Sequence, residues 1–68
     1  MIKLYHTDCP QCKMVELRLK KKNIEYEEIR GEDKIRDLGF NSSPVIEASG
    51  KYYVGGKECL EFLKSIGA

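Results

Sequence analysis

No stretch of this sequence approaches the ~20 consecutive apolar residues that a membrane-spanning helix needs. The first residues, Met1-Ile2-Lys3-Leu4-Tyr5, lack the long apolar core of a signal peptide and run directly into what reads as folded chain. Charge of one sign is not in surplus either. Twelve basic and eleven acidic residues leave a net +1, which argues against a nucleic-acid binder with a strongly basic face. Cysteine occurs three times, an odd number, whereas a secreted disulfide scaffold of this size carries an even set. There is no linker, repeat or low-complexity segment. The sequence therefore predicts one domain over residues 1–68, monomeric and cytoplasmic, with no membrane or nucleic-acid partner. Its 68 residues bury only about 60% of the extended surface.

What is present has a regular order. The alternation in "IKLY" predicts a strand at 2–5. Pro10 suits the first turn of a helix, and "QCKMVELRLKKK" is free of Gly and Pro, so a helix is predicted over 10–22 with Cys12, Val15 and Leu19 as its inner stripe. Asn23 serves as its left-handed stop. Residues 24–29 favour a strand. A short helix at about 32–38 closes at Gly39, and Val45–Ala48 and Lys51–Val54 form a hairpin around Ser49-Gly50. The last helix, "KECLEFLKSIG", turns Cys59, Phe62, Leu63 and Ile66 inward. The order βαβ-α-ββ-α implies an α/β domain with a four-stranded mixed sheet flanked by helices.

The chemistry concentrates in "DCPQCK", residues 8–13. A staple between Cys9 and Cys12 would close a loop of a few residues and stabilise little. A structural zinc site needs four ligands, and only His6 and Cys59 are available besides the pair. Cys59 reads better as a small buried hydrophobe, and His6 as a half-exposed surface residue. Redox chemistry asks less. Cys9 falls just before a helix and Cys12 one turn inside it, about 5–6 Å apart, within reach of a disulfide. The helix N-terminus stabilises a thiolate at Cys9; Lys13 adds to that effect and Asp8 opposes it.

With "CPQC" after a strand, "SSPVI", a hairpin and "GG" before the last helix, the chain resembles the glutaredoxins and the glutaredoxin-like redoxins, of minimal thioredoxin-like fold. The resemblance implies a thiol–disulfide oxidoreductase with Cys9 as nucleophile and Cys12 as resolving thiol, with no bound cofactor. It places Pro10, Gln11, Ser43, Pro44, Gly56, Lys57 and Glu58 against the substrate. Ser43-Pro44 would be the family's cis-proline turn, and the N–H groups of Lys57 and Glu58 would hold a carboxylate, that of glutathione in a glutaredoxin. Gln11 and His6 stand where many glutaredoxins have Tyr and Lys. Gln11 is common in redoxins that take electrons from thioredoxin reductase and serve ribonucleotide reductase, but Tyr53-Val54-Gly55-Gly56 is closer to glutaredoxin. Glutathione is thus the expected co-substrate, with thioredoxin reductase the alternative reductant. A zinc or metal-delivery module, an iron–sulfur carrier and a plain binding domain on the same scaffold remain as other classes.

Overall fold

A computed structural model describes residues 2–67. The elements run β1 (Ile2–His6), α1 (Pro10–Lys21), β2 (Tyr26–Arg30), α2 (Glu32–Asp37), β3 (Val45–Ala48), β4 (Lys51–Val54) and α3 (Gly56–Ser65). The strands form one four-stranded sheet in the order β2-β1-β3-β4, with β1 parallel to β2 and antiparallel to β3, and β3 antiparallel to β4. This is the mixed sheet of a minimal thioredoxin-like fold. None of the described helices is long and apolar enough to cross a membrane.

Side chains alternate across β1 and so divide the core in two. Leu4 points toward α1 and α3, where Val15, Leu19, Ile46, Ala48, Cys59 and Leu63 form the larger cluster. Tyr5 points the other way, onto Ile35 and Val45. The stripe Cys12, Val15 and Leu19 is buried as its spacing predicts. All three helices end in left-handed residues, Asn23, Gly39 and Gly67. The first exit explains why β2 starts at Tyr26 and not at 24. The Asn23 and Ile24 N–H groups donate to Lys20 and Leu19 carbonyls (3.1 and 2.9 Å), so Ile24 belongs to the end of α1. Phe40 closes α2 in the same way, donating to the Ile35 carbonyl at 3.2 Å.

Three further expectations change. Ile66 is the C-cap of α3 rather than part of its inner face, and is 45% exposed. The last helix starts one residue early, at a buried Gly56. His6 extends β1 and is completely buried rather than half exposed. Of the adjacent tyrosines, Tyr52 is exposed, whereas Tyr53 is half-buried and stacks on Phe62 with ring centroids 4.5 Å apart.

Candidate active site

Cys9 is the N-cap of α1, in extended backbone (φ −72°, ψ 164°), and Pro10 follows in the first turn. Its sulfur accepts a hydrogen bond from the Cys12 N–H at 3.1 Å, as the oxygen of a serine or aspartate does at this position. Ser43 Oγ donates to the same sulfur at 3.7 Å and lies 3.1 Å from Thr7 Oγ1. Partial burial pushes the Cys9 thiol up, but hydrogen bonds from Cys12, Ser43 and the Gln11 backbone outweigh it and leave it below the ordinary thiol value. Asp8 has partners other than the sulfur. Its carboxylate lies 3.5 Å from Arg30 Nε and 3.7 Å from His6 Nδ1.

Cys12 is fully buried behind Cys9, and all three thiols are free. The Ser43–Pro44 peptide is cis. The Pro44 carbonyl accepts from the Gly55 N–H at 2.8 Å and lies 3.4 Å from the Cys59 thiol, which also reaches the Tyr53 carbonyl at 3.3 Å. Cys59 therefore fastens the proline turn to α3 from behind. Burial pushes its thiol up to about 12, so it stays protonated.

Gly55 and Gly56 open α3 with no side-chain cap at Gly55. The first N–H groups of a helix have no partner inside it, which leaves those of Lys57 and Glu58 for a ligand or water. Two side chains crowd this end. A Cβ built on Gly56 would come within 2.7 Å of the Gln11 carboxamide, so Gln11 lies directly on the glycine. The Glu58 carboxylate accepts from the Val54 N–H at 3.0 Å. A polar groove of about 350 Å³ starts at Thr7 and Ser43 and continues along Asn41, Ser42, Glu32 and Arg36. A larger depression of about 520 Å³ at Met14, Leu17 and Lys21 touches none of these residues.

Two features escape a reading of the sequence. Thr7 joins the site by its bond to Ser43, and its place two residues before Cys9 is the only local signal. His6 meets Glu28 Oε2 at 2.6 Å and Glu16 Oε2 at 3.8 Å. Among the described residues these three bring possible metal-ligand atoms within 4.8 Å of one another, and no cysteine joins them. The zinc set of His6, Cys9, Cys12 and Cys59 is not assembled.

No protein-family model matches the sequence, and no match was found among curated proteins. Solved structures are similar. A single-site mutant of a thioredoxin-like protein shares 29% identity at a TM-score of 0.74, over 94% of this chain and 99% of that one. The glutaredoxin of Archaeoglobus fulgidus shares 25% at 0.74, over 98% and 86%. Two others show the fold alone. Glutaredoxin 1 of Francisella tularensis has 21% identity and a TM-score of 0.72 over 96% and 93%. A trimeric glutathione transferase from Leishmania has 19% and 0.75, and the whole of this chain spans 18% of it.

Proposed function

We propose that this chain, a glutaredoxin-like protein of thioredoxin fold, is a thiol–disulfide oxidoreductase working through Cys9 and Cys12. The observation that carries the reading is the pair of hydrogen bonds into the Cys9 sulfur, from the Cys12 N–H and the Ser43 hydroxyl, on a partly exposed thiol at a helix N-terminus. The Cys9 thiolate attacks one sulfur of a substrate disulfide. The S–S bond breaks, its other sulfur leaves as a thiolate and takes a proton, and a mixed disulfide with Cys9 forms. Cys12 then loses its proton and attacks the Cys9 sulfur. The second substrate thiolate leaves, and the two electrons the substrate has gained are those lost in forming the Cys9–Cys12 bond. An external dithiol or two thiols return the pair to the reduced state.

Ser43 would face an extended substrate, while Pro44, fully buried, would only shape the turn behind it. The groove beyond Thr7 and Ser43 would give the substrate a polar bed. The resemblance offers glutathione or thioredoxin reductase as the source of electrons, and a protein such as ribonucleotide reductase as the substrate. One observation favours thioredoxin reductase. The Gln11 carboxamide rests on Gly56, so a glutathione carboxylate reaching the N–H groups of Lys57 and Glu58 has to displace it, beside the negative Glu58 side chain.

The test is NADPH consumption with a disulfide substrate, once with glutathione and glutathione reductase and once with thioredoxin reductase. Turnover is expected with thioredoxin reductase. Gln11→Ala, which opens the end of α3, is expected to raise turnover through glutathione several-fold. Faster turnover of the unaltered protein through glutathione would reverse the choice of reductant. Absence of turnover with both would overturn the oxidoreductase reading.

A further inference from the structure

The buried His6 closes a ring with three other residues. Its Nε2 lies 2.6 Å from Glu28 Oε2, and the same oxygen accepts from Arg30 Nη2 at 3.2 Å. Arg30 Nε lies 3.5 Å from Asp8 Oδ2, and the Asp8 N–H donates back to His6 Nδ1 at 3.3 Å. The ring ties the end of β1 and the end of β2 to the turn that delivers Cys9. An ionised carboxylate only accepts, so Nε2 carries the proton and Nδ1 is left as the acceptor that Asp8 needs. Glu28 thereby selects the tautomer. Two further carboxylates face the imidazole from beyond hydrogen-bond distance, Glu16 of α1 at 3.8 Å from Nε2 and Asp8 at 3.7 Å from Nδ1. The closer contacts, Glu28 and the Asp8 N–H, therefore set the tautomer.

What the ring holds is the residue before the nucleophile. Asp8 has φ +61°, in the left-handed region that few non-glycine residues adopt. Its neighbour Thr7 is pinned separately, by Ser43. Both residues between His6 and Cys9 are thus fixed by side chains from elsewhere, and with them the direction from which the Cys9 sulfur meets the Cys12 N–H and the Ser43 hydroxyl.

We propose that His6 is a positioning residue for the Cys9 nucleophile, holding the Thr7–Asp8 turn through Nδ1 in the tautomer set by Glu28. The proposal rests on the reading of Cys9 as the attacking thiol. It predicts that the two nitrogens of His6 are not equivalent in function. His6→Asn puts an amide oxygen near the place of Nδ1 and keeps the acceptor for Asp8. His6→Gln puts an amide N–H near the place of Nε2 and keeps the donor to Glu28 only.

The experiment is the rate of Cys9 alkylation by iodoacetamide against pH in the reduced full chain, with the modified residue assigned by peptide mass and the melting temperature recorded in parallel. His6→Gln is expected to slow Cys9 at neutral pH by about tenfold and to move the profile to higher pH, because a misplaced sulfur loses its donors. His6→Asn is expected to stay within about threefold of the unaltered protein. No effect in either variant, or equal losses that follow the melting temperature, would overturn the proposal. Should neither variant fold, the tautomer of His6 in the unaltered protein decides it by ¹⁵N NMR. A proton on Nε2 supports it, and a proton on Nδ1 overturns it. Neither readout uses a disulfide substrate, so failure of the oxidoreductase reading would show separately, as absent turnover.

Discussion

Cys9 and Cys59 both meet the Ser43–Pro44 segment, Cys9 at the Ser43 hydroxyl and Cys59 at the Pro44 carbonyl. They differ in burial and in which way their thiols are shifted. Cys9 receives hydrogen bonds, from the Cys12 N–H and the Ser43 hydroxyl, and its thiol is held below the ordinary value. Cys59 is fully buried, gives its proton toward the Pro44 and Tyr53 carbonyls, and is pushed up to about 12. A donor aimed at sulfur favours the anion and burial favours the neutral thiol. At Cys59 burial outweighs a backbone hydrogen bond from Ile46 that acts the other way. Whether a cysteine is a nucleophile or a piece of core is therefore decided by whether burial outweighs the donors that reach its sulfur. One turn of chain touches both thiols, with a hydroxyl at Cys9 and a carbonyl at Cys59, and burial makes the separation.

The comparison is broken most severely by exchanging the thiols themselves. Cys9→Ser is expected to reduce disulfide turnover to background, and Cys12→Ser to permit the first attack and accumulate a mixed disulfide, visible as added mass on Cys9. Full activity in the Cys9 variant would sink the mechanism. Cys59→Ala is expected to turn over at the normal rate, since its sulfur is neither ionised nor exposed. Activity lost there without loss of fold would make it a third redox cysteine.

A smaller effect separates the two by pH. Below the ordinary thiol value Cys59 is protonated whether the chain is folded or not. Above that value the unfolded chain releases the proton and the folded one keeps it. The stability tied to Cys59 is therefore present at neutral pH and is lost as pH rises toward 12, by up to about 1.4 kcal/mol per pH unit. Tyr5 and Tyr26, also raised chiefly by burial, lose stability in the same direction at alkaline pH. A difference between variants isolates the cysteine. Cys59→Ala is expected to be less stable than the unaltered protein by about 1–2 kcal/mol at pH 7.5, and the gap is expected to close by pH 10 in urea unfolding. A gap that does not change with pH would show that the two chains bind the same protons.

Much of this arrangement is legible in the sequence because it is set locally. The helix stops at Asn23, Gly39 and Gly67 and the turn at Ser49-Gly50 all adopt the left-handed conformations such residues tolerate, and they delimit the elements. Pro10 and the cysteine spacing place Cys9 at a helix N-terminus. What stays hidden depends on partners distant in sequence. His6 reads as a surface residue because nothing near it announces Glu16 and Glu28, which reach it from α1 and β2. Asp8 reads as a charge against Cys9 because Arg30, which draws it aside, lies across the sheet. Ile24 alternates like a strand residue, yet its N–H is already taken by Leu19.

The smallest expected effect is at Ser43, where the turn meets Cys9. Its hydroxyl is shared between Thr7 at 3.1 Å and the Cys9 sulfur at 3.7 Å, so its bond to sulfur is long. Losing a hydrogen bond of about 0.5 kcal/mol changes a rate roughly twofold. Ser43→Ala is therefore expected to slow Cys9 alkylation at neutral pH about twofold and to raise the pH at which it reacts. The main chain that would pair with a substrate is unaltered, so KM for a disulfide should not move. A raised KM with an unchanged alkylation profile would assign the hydroxyl to the substrate instead. The Cys12 N–H at 3.1 Å would then be the donor that separates Cys9 from Cys59, and the helix N-terminus, more than the proline turn, would be what makes a nucleophile of one cysteine and not of the other.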